Sequence, residues 1–220
     1  MEILQNIENE KKLWAFFDLD YTLIKTDSYI PFLLGWFYRH PWRILFMLTL
    51  PVSILRYVIE KRERVYIKTA FLRAFMKGAR KDAVEKYAVN FWRKFWTDKK
   101  NQTVIDRLIE LKKSGYKIYI ISGSFYFYTQ YLNEYLPVDG IIGTKAEFFR
   151  DRVTGYVTGI NCLGLEKVVR IQSDLGVRLS EITYEAFSDC RSDAPLMLYA
   201  KSAWLVKKNE IIRWPENYQT

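Results

Sequence analysis

The chain is poor in the residues from which many metal-binding and catalytic centres are built. It has one histidine, His40, in 220 residues. A zinc site of the HExxH type, a His-rich metal centre and a two-histidine mechanism are excluded by that count alone. Its two cysteines, Cys162 and Cys190, are too few for a four-Cys zinc site or a disulfide framework. They fit two reduced thiols in a cytosolic protein. Ten glycines and six prolines leave no collagen-like, linker-rich or low-complexity segment, and there is no internal repeat. The opening MEILQNIENEKK is acidic and polar, without the basic start and apolar stretch of a secretory signal. Acid–base chemistry is therefore left to carboxylates, lysine, tyrosine and water.

What is present is ample for a core. Half of the residues (50%) are hydrophobic and 27% are charged, which suits one domain, or one domain with a sizeable insertion. The net charge of +9 is unevenly spread. Residues 28–100 hold 16 Lys/Arg against 5 Asp/Glu, while the remainder holds 18 against 20. One contiguous third of the chain thus carries the whole excess, as a separate unit facing an anionic partner would. Nucleic acid, an anionic membrane and a phosphorylated substrate all fit that description, as does a merely solvated basic surface.

The same segment begins with few charges. Between Ser28 and Ile59 the only charged residues are Arg39, Arg43 and Arg56, and eight of the 32 residues are aromatic. Its longest uncharged run, Ile44–Leu55, has 12 residues, short of the roughly 20 needed to span a bilayer. The pattern predicts two short apolar helices separated by RHPWR, rich in the Trp and Tyr of interfacial anchors. The core of a helical bundle fits equally well. The three arginines suit phosphate headgroups, or solvated and snorkelling positions, and His40 falls at the tip of this hairpin.

Around it the chain alternates between strands and helices. Leu13–Phe17 reads as a buried parallel strand, and only helices follow to about Thr97. Thr103–Lys113 is a helix, Lys117–Ile121 a strand ending in SGS, and Phe125–Leu136 a helix. Gly140–Ile142 is a short strand, and residues 145–160 form a hairpin turning near Thr154–Gly155. Leu165–Leu175 is a helix stopped by Gly176, Ile182–Phe187 a strand ending in SDCRSD, and Ala203–Val206 a last strand before a polar tail. The order predicts an α/β doubly wound, Rossmann-like parallel sheet with an all-helical insertion after its first strand. The catalytic core is then residues 1–27 and 98–220, and the basic, aromatic-rich cap residues 28–97.

In such a sheet, residues just past the carboxyl ends of the strands share one crevice. Here those are Asp18 and Asp20, Ser122, and Asp189 and Asp193. Four carboxylates around one crevice call for a cation, and hard oxygen donors suit Mg²⁺. Two aspartates two apart can divide the labour, one attacking as a phosphoryl acceptor and the other carrying a proton. Lys167, at a helix start, can neutralise a transferring phosphoryl group. Ser122 with the amides of Gly123 and Ser124 can donate to its oxygens.

The segments Asp18-Leu-Asp20-Tyr-Thr22, Ser122-Gly-Ser, Lys167 and Ser188-Asp189-Cys-Arg-Ser-Asp193 resemble the four motifs of the haloacid dehalogenase-like phosphatases. The resemblance covers nearly the whole chain. Helices between the first two motifs match the cap placement of the subgroup that includes phosphoserine phosphatase. NCLGLEK, SDCRSDAPLM and the apolar cap start look most like the C-type phosphatidylglycerophosphatases, which are membrane-associated lipid phosphatases. The resemblance implies Asp18 as nucleophile, Asp20 as general acid and base, and Ser122 and Lys167 on the phosphoryl oxygens. It implies Mg²⁺ on Asp18, the Asp20 carbonyl and Asp189, with Asp193 in support. Substrate contacts fall to Thr22, Asp27, Gly123 and Ser124. Asp27 stands where phosphoserine phosphatases have a longer, substrate-reading glutamate, and it can equally cap the first cap helix. Tyr21 replaces a glycine frequent in the first motif.

The expected activity is that of a Mg²⁺-dependent phosphomonoesterase on a lipid phosphate such as phosphatidylglycerophosphate. It would work at the inner, cytoplasmic membrane face and dock through residues 28–59. The alternative is a soluble phosphatase of a small metabolite. Nucleic-acid binding on the same scaffold fits least, because no nucleic-acid motif accompanies the charge. No obligate protein partner is evident.

Overall fold

The computed structural model describes residues 13–218; the polar opening MEILQNIENEKK lies outside the described residues. Strand β1 (Leu13–Phe17) is the centre of the molecule. It pairs in parallel with β2 (Lys117–Phe125) on one side and β5 (Thr183–Ser188) on the other. Its five apolar residues follow from that position, because a strand with neighbours on both sides and helices on both faces meets little water; only Leu13, at its start, is partly exposed. Ala15 and Phe17 enter one hydrophobic cluster and Trp14 and Phe16 the other, as the two-residue period of a strand requires.

The full sheet has seven strands in the order β4-β3-β2-β1-β5-β6-β7. The inner strands, including β3 (Gly140–Phe149) and β6 (Ser202–Lys207), run parallel. The edges β4 (Arg152–Thr158) and β7 (Glu210–Arg213) are antiparallel, so the sheet is mixed. Strand β7 lies in the stretch expected to be a tail. The hairpin turns at Arg150–Asp151, both with positive φ (46° and 56°), as a mirror-image turn demands. Gly155 lies inside β4 with φ +90°, where a Cβ would run into Arg73. The expected helix 125–136 is a four-residue helix, Tyr126–Thr129, followed by a 3-10 stretch, Gln130–Glu134.

The insertion after β1 is helical throughout. It holds α1 (Tyr29–Arg39), α2 (Ile44–Met47), α3 (Leu50–Ile59), α4 (Arg64–Met76) and α5 (Lys81–Lys99). Helix α6 (Gln102–Lys113) follows it and packs on one face of the sheet. Two of these neighbours in sequence have opposite fates. Helix α1 buries Tyr29, Phe32, Leu33 and Trp36, the spacing of one helical face. Phe32 stacks on Tyr128 at 4.4 Å and meets Phe91 edge-on at 5.2 Å. A Cβ at Gly35 would collide with the Tyr87 hydroxyl, which donates to the Phe32 carbonyl at 2.8 Å. The next stretch, Pro41–Ile59, is 19 residues long and only 6% buried. Leu45, Leu48, Val58 and Ile59 are each at least 65% exposed. The joined helical stretch is longer than its uncharged run suggests, and among the described residues it alone is long and apolar enough to cross a membrane.

The arginines of this hairpin separate as well. Arg43 is buried and donates to the Lys77 carbonyl at 2.7 Å, so it is structural and not available to a headgroup. Arg39 lies 5.0 Å over the Tyr87 ring and Arg56 is exposed. His40 stacks on Trp36 at 4.2 Å with Nδ1 against the Trp36 carbonyl. The insertion is stitched to the β3–β4 hairpin through backbone bonds. Gly78 N–H donates to the Val153 carbonyl at 2.7 Å, and Lys81 N–H to that of Asp151 at 2.8 Å.

Helix α1 and the Pro41–Ile59 stretch predict opposite responses to truncation. Phe32→Ala is expected to cost about 3–5 kcal/mol, as large buried aromatics do. Leu48→Ala is expected to stay within about 0.5 kcal/mol, as exposed positions do. Urea unfolding of both variants checks this, and a large loss at Leu48 would mean that the 41–59 stretch is packed and not presented.

Candidate active site

The parallel order β2-β1-β5 brings Ser122 of β2 together with Asp18 and Asp189, which stand just past the ends of β1 and β5. The Asp18 N–H donates to the Phe187 carbonyl at 2.9 Å, which fixes where its side chain leaves the sheet. The chain then turns tightly through Leu19–Leu23, closed by Ile24 N–H on the Leu19 carbonyl at 3.1 Å. Tyr21 takes φ 58° in that turn, the left-handed region that favours glycine.

Lys167 sits in the first turn of α7 (Leu165–Leu175), 1% exposed. It donates to Asp18 Oδ1 at 2.8 Å and to Asp193 Oδ2 at 2.6 Å. Burial opposes its charge, but Asp18 and Asp193 outweigh burial and hold it above the ordinary lysine value. Asp193 also accepts from Ser188 Oγ at 2.6 Å. One lysine does not balance this group. Burial first, and the charges of Asp193 and Asp189 against the pull of Lys167, push Asp18 up to about 8. Burial also raises Asp189, and Asp193 adds to it.

Thr22 does not face the crevice as a substrate contact would. It is fully buried, accepts from Asp189 N–H at 3.1 Å and donates to Asp189 Oδ1 at 3.4 Å. It orients Asp189 instead. Sequence alone could not separate these roles, since both need a hydroxyl at that place.

The Ser122-Gly-Ser segment also differs from the expectation of a loop at a helix start. Strand β2 continues through it to Phe125 with a register shift against β3, Ser122 facing Gly143 and Phe125 facing Thr144. Gly143 makes this bulge sterically feasible, because a Cβ there would lie 2.8 Å from the Ser124 carbonyl. The Ser124 N–H turns inward onto Ser122 Oγ at 3.0 Å, so that amide is already engaged. Ser124 Oγ donates to Asp20 Oδ2 at 2.6 Å, and Ser28 N–H to Asp20 Oδ1 at 2.8 Å. Burial, helped by Asp27 and opposed by these bonds, pushes Asp20 up to about 6. Asp27 caps α1 through Ile30 N–H at 2.8 Å and still lines the crevice.

The crevice is a cavity of about 480 Å³ between core and insertion. Asp18, Asp20, Asp27, Ser122, Gly123, Ser124 and Asp189 line it from the core side, with Cys190 beside them. Helices α1 and α4 close it with Tyr29, Ile30, Arg64, Ile67, Lys68 and Phe71. Lys68 was invisible among the many basic residues of the segment. It is partly buried, with its ammonium against Gly123, Thr144 and Asn161 of the core, and desolvation pulls it down to about 7. Cys162 is buried and Cys190 partly so, both free.

The donor set fits a small, hard divalent cation. Every candidate donor is oxygen, negative charge exceeds the one buried lysine, and Asp193 Oδ1 is buried without a hydrogen-bond partner. Among the described residues no three His, Cys, Asp or Glu side chains form a metal-holding cluster. The implied set needs only two carboxylates, Asp18 and Asp189, with the Asp20 backbone carbonyl.

The raised Asp18 makes a stability prediction. Its ordinary value is 3.8 and its folded value about 8. Between them the folded chain keeps a proton that the unfolded chain has released, so cation-free stability falls as pH rises through that window. Asp18→Asn is expected to remove this slope and be more stable than the native chain by about 1–3 kcal/mol at pH 8, the gap closing near pH 4. Urea unfolding with a chelator present measures it, and equal stability at pH 8 would overturn the account.

Comparison with known proteins agrees with the arrangement. A family model for haloacid dehalogenase-like hydrolases matches residues 15–198. Protein CicA of Caulobacter vibrioides is 29% identical over 191 residues, covering 86% of this chain and 83% of its own. A crystal structure of a protein of unknown function from Bordetella pertussis Tohama I aligns with a TM-score of 0.70 at 18% identity, over 88% of this chain and 89% of that one. A phospho-aspartyl intermediate analogue of phosphoserine phosphatase aligns at 0.53 with 19% identity, over 89% and 86%. With a family model spanning most of its length and the same α/β fold in solved relatives, the chain belongs to the haloacid dehalogenase-like hydrolases.

Proposed function

We propose that this hydrolase is a phosphatase that transfers the phosphoryl group of a monoester to Asp18 and then to water. The observation that carries the reading is the Asp18 carboxylate held at 2.8 Å by buried Lys167, with Asp20 lining the same cavity. An ionised Asp18 oxygen attacks phosphorus, the bond from phosphorus to the ester oxygen breaks, and protonated Asp20 gives its proton to the leaving alkoxide. Water then attacks the aspartyl phosphate at phosphorus and gives its proton to Asp20. Phosphate leaves and the Asp18 carboxylate is restored. A folded value of about 6 for Asp20 suits a group that must both give and take a proton near neutrality. Lys167 and Ser122 hold phosphoryl oxygens. Asp18, the Asp20 carbonyl and Asp189 would hold Mg²⁺, with Asp193 in support, and the ion would supply charge neutralisation for those oxygens.

The substrate in this reading is a lipid phosphate, with phosphatidylglycerophosphate as the specific candidate and a C-type phosphatidylglycerophosphatase as the type of enzyme proposed. The support is the exposed, apolar Pro41–Ile59 stretch on the cap beside the concentrated positive charge of residues 28–100. Such a surface suits the headgroup region of an anionic membrane, at its cytoplasmic face. Asp27 is shorter than the substrate-reading glutamate of phosphoserine phosphatases, and one of its oxygens caps α1, which disfavours a reading of the amino-acid end of phosphoserine.

Two measurements test this. Phosphate release with Mg²⁺ is compared for phosphatidylglycerophosphate in mixed micelles and phosphoserine in buffer. Release from the micelles is expected, falling by at least about 100-fold in Asp18→Asn, as loss of a nucleophile does. Preference for phosphoserine would favour a soluble metabolite phosphatase. Co-sedimentation with anionic vesicles is expected for the native chain and weakened in Leu45→Ser/Leu55→Ser. A chain that stays in the supernatant at both low and high salt would remove the lipid reading.

A further inference from the structure

Lys68, on the insertion, carries its charged group past the cavity into the polar core behind it. Its ammonium donates to the Gly123 carbonyl, to Thr144 Oγ1 at 3.1 Å and to Asn161 Oδ1 at 2.9 Å. All three acceptors belong to the catalytic half of the molecule, and none is a carboxylate. A buried cation without a bonded anion is costly, and the contacts of its ammonium with the Phe125 ring at 4.4 Å and the Tyr29 ring at 5.9 Å offset only part of that cost. Packing alone would be served by an apolar side chain of the same length.

The hydrogen count shows what the charge does. Thr144 Oγ1 lies within hydrogen-bond reach of both Gly123 O and Asn161 Oδ1, at 2.6 and 2.8 Å. Thr144 has one hydroxyl hydrogen, and the Cys162 N–H donates to its oxygen at 3.1 Å. Without Lys68, either the Gly123 carbonyl or Asn161 Oδ1 loses its donor among these groups. With Lys68, all three are met and all three ammonium hydrogens are used, which leaves none for a substrate. The Gly123 carbonyl belongs to the peptide whose N–H, on Ser124, bonds Ser122 Oγ, while the Ser124 hydroxyl bonds Asp20. The orientation of that one peptide therefore sets both Ser122 and Asp20.

We propose that Lys68 is a positioning residue through which the seated cap fixes the Gly123–Ser124 peptide, so that Ser122 and Asp20 are aligned only when α4 is docked. Tyr29 ties the same turn of α4 to α1, donating to the Lys68 carbonyl at 3.0 Å. The inference rests on the phosphatase reading for its kinetic consequence but not for its structural one.

The test uses the full chain and the variants Lys68→Met, Lys68→Arg and Asp18→Asn. With para-nitrophenyl phosphate and Mg²⁺, Lys68→Met is expected to lower kcat by about 10- to 100-fold while KM changes by no more than about 3-fold, since alignment and not binding is lost. Lys68→Arg is expected to recover part of kcat. Without any cation, hydrogen exchange at residues 122–126 is expected to rise in Lys68→Met, with thermal stability unchanged or higher. An unchanged kcat, or a rise confined to KM, would overturn the proposal in favour of a structural or substrate-binding lysine. If no phosphate release depends on Asp18, the phosphatase reading falls. The exchange result still decides the role of Lys68, and unchanged exchange at residues 122–126 would overturn it.

Discussion

One buried ammonium shared by two aspartates organises the centre of this molecule. Lys167 reaches Asp18 at the end of β1 and Asp193 beyond the end of β5, and so joins two adjacent strand ends with a helix start. Asp189 stands close by with a third carboxylate, so the crevice holds more negative charge than its lysine neutralises. That imbalance costs stability, since ionised carboxylates in a buried site repel. It also leaves the site fit for a cation and for the multiply charged groups that a cation brings. The rigidity needed to hold such a group together comes from the parallel sheet. Adjacent strands give the carboxylates a spacing set by backbone hydrogen bonds and not by side-chain choice.

Much of this was legible in the sequence because it depends on local pattern. LWAFF is apolar at every position, which fits a central parallel strand, and it is one. Asp18 and Ser122 follow apolar runs directly and Asp189 follows one after Ser188, and the parallel register brings those run ends together. Gly176 ends its helix in the left-handed conformation expected of it. What escaped notice depends on partners distant in sequence. The turn at Arg150–Asp151 has no glycine or asparagine to announce it. Strand β7 is short and half polar, and it forms because β6 offers an edge. The continuation of β2 through Ser122-Gly-Ser requires Gly143 opposite, and nothing near residue 123 in sequence foretells it.

The site shows the same division. Positions next to strand ends could be found; positions that reach in from the insertion could not. Lys68 looks like any other basic residue of a basic segment until the fold places three neutral acceptors around it. Thr22 had the right chemistry for a substrate contact, and only its burial against Asp189 reassigns it. Asp27 was open between capping and lining the crevice, and the structure has it do both.

The insertion combines two demands that would conflict in a single helix. Helix α1 supplies Phe32 and Trp36 to a core shared with the sheet, and with α4 it closes the cavity. The stretch after it turns large apolar side chains to solvent, which no packing requirement of the described residues accounts for. Helix α4 lies between these roles, since it packs against the exposed hairpin on one side and β4 on the other while Lys68 enters the core. Helix α4 thus touches the exposed hairpin on one hand and, through Lys68, the peptide beside Ser122 and Asp20 on the other. In the proposed reading, a chain seated on a lipid surface and a chain with an aligned Gly123–Ser124 peptide are coupled through that one helix.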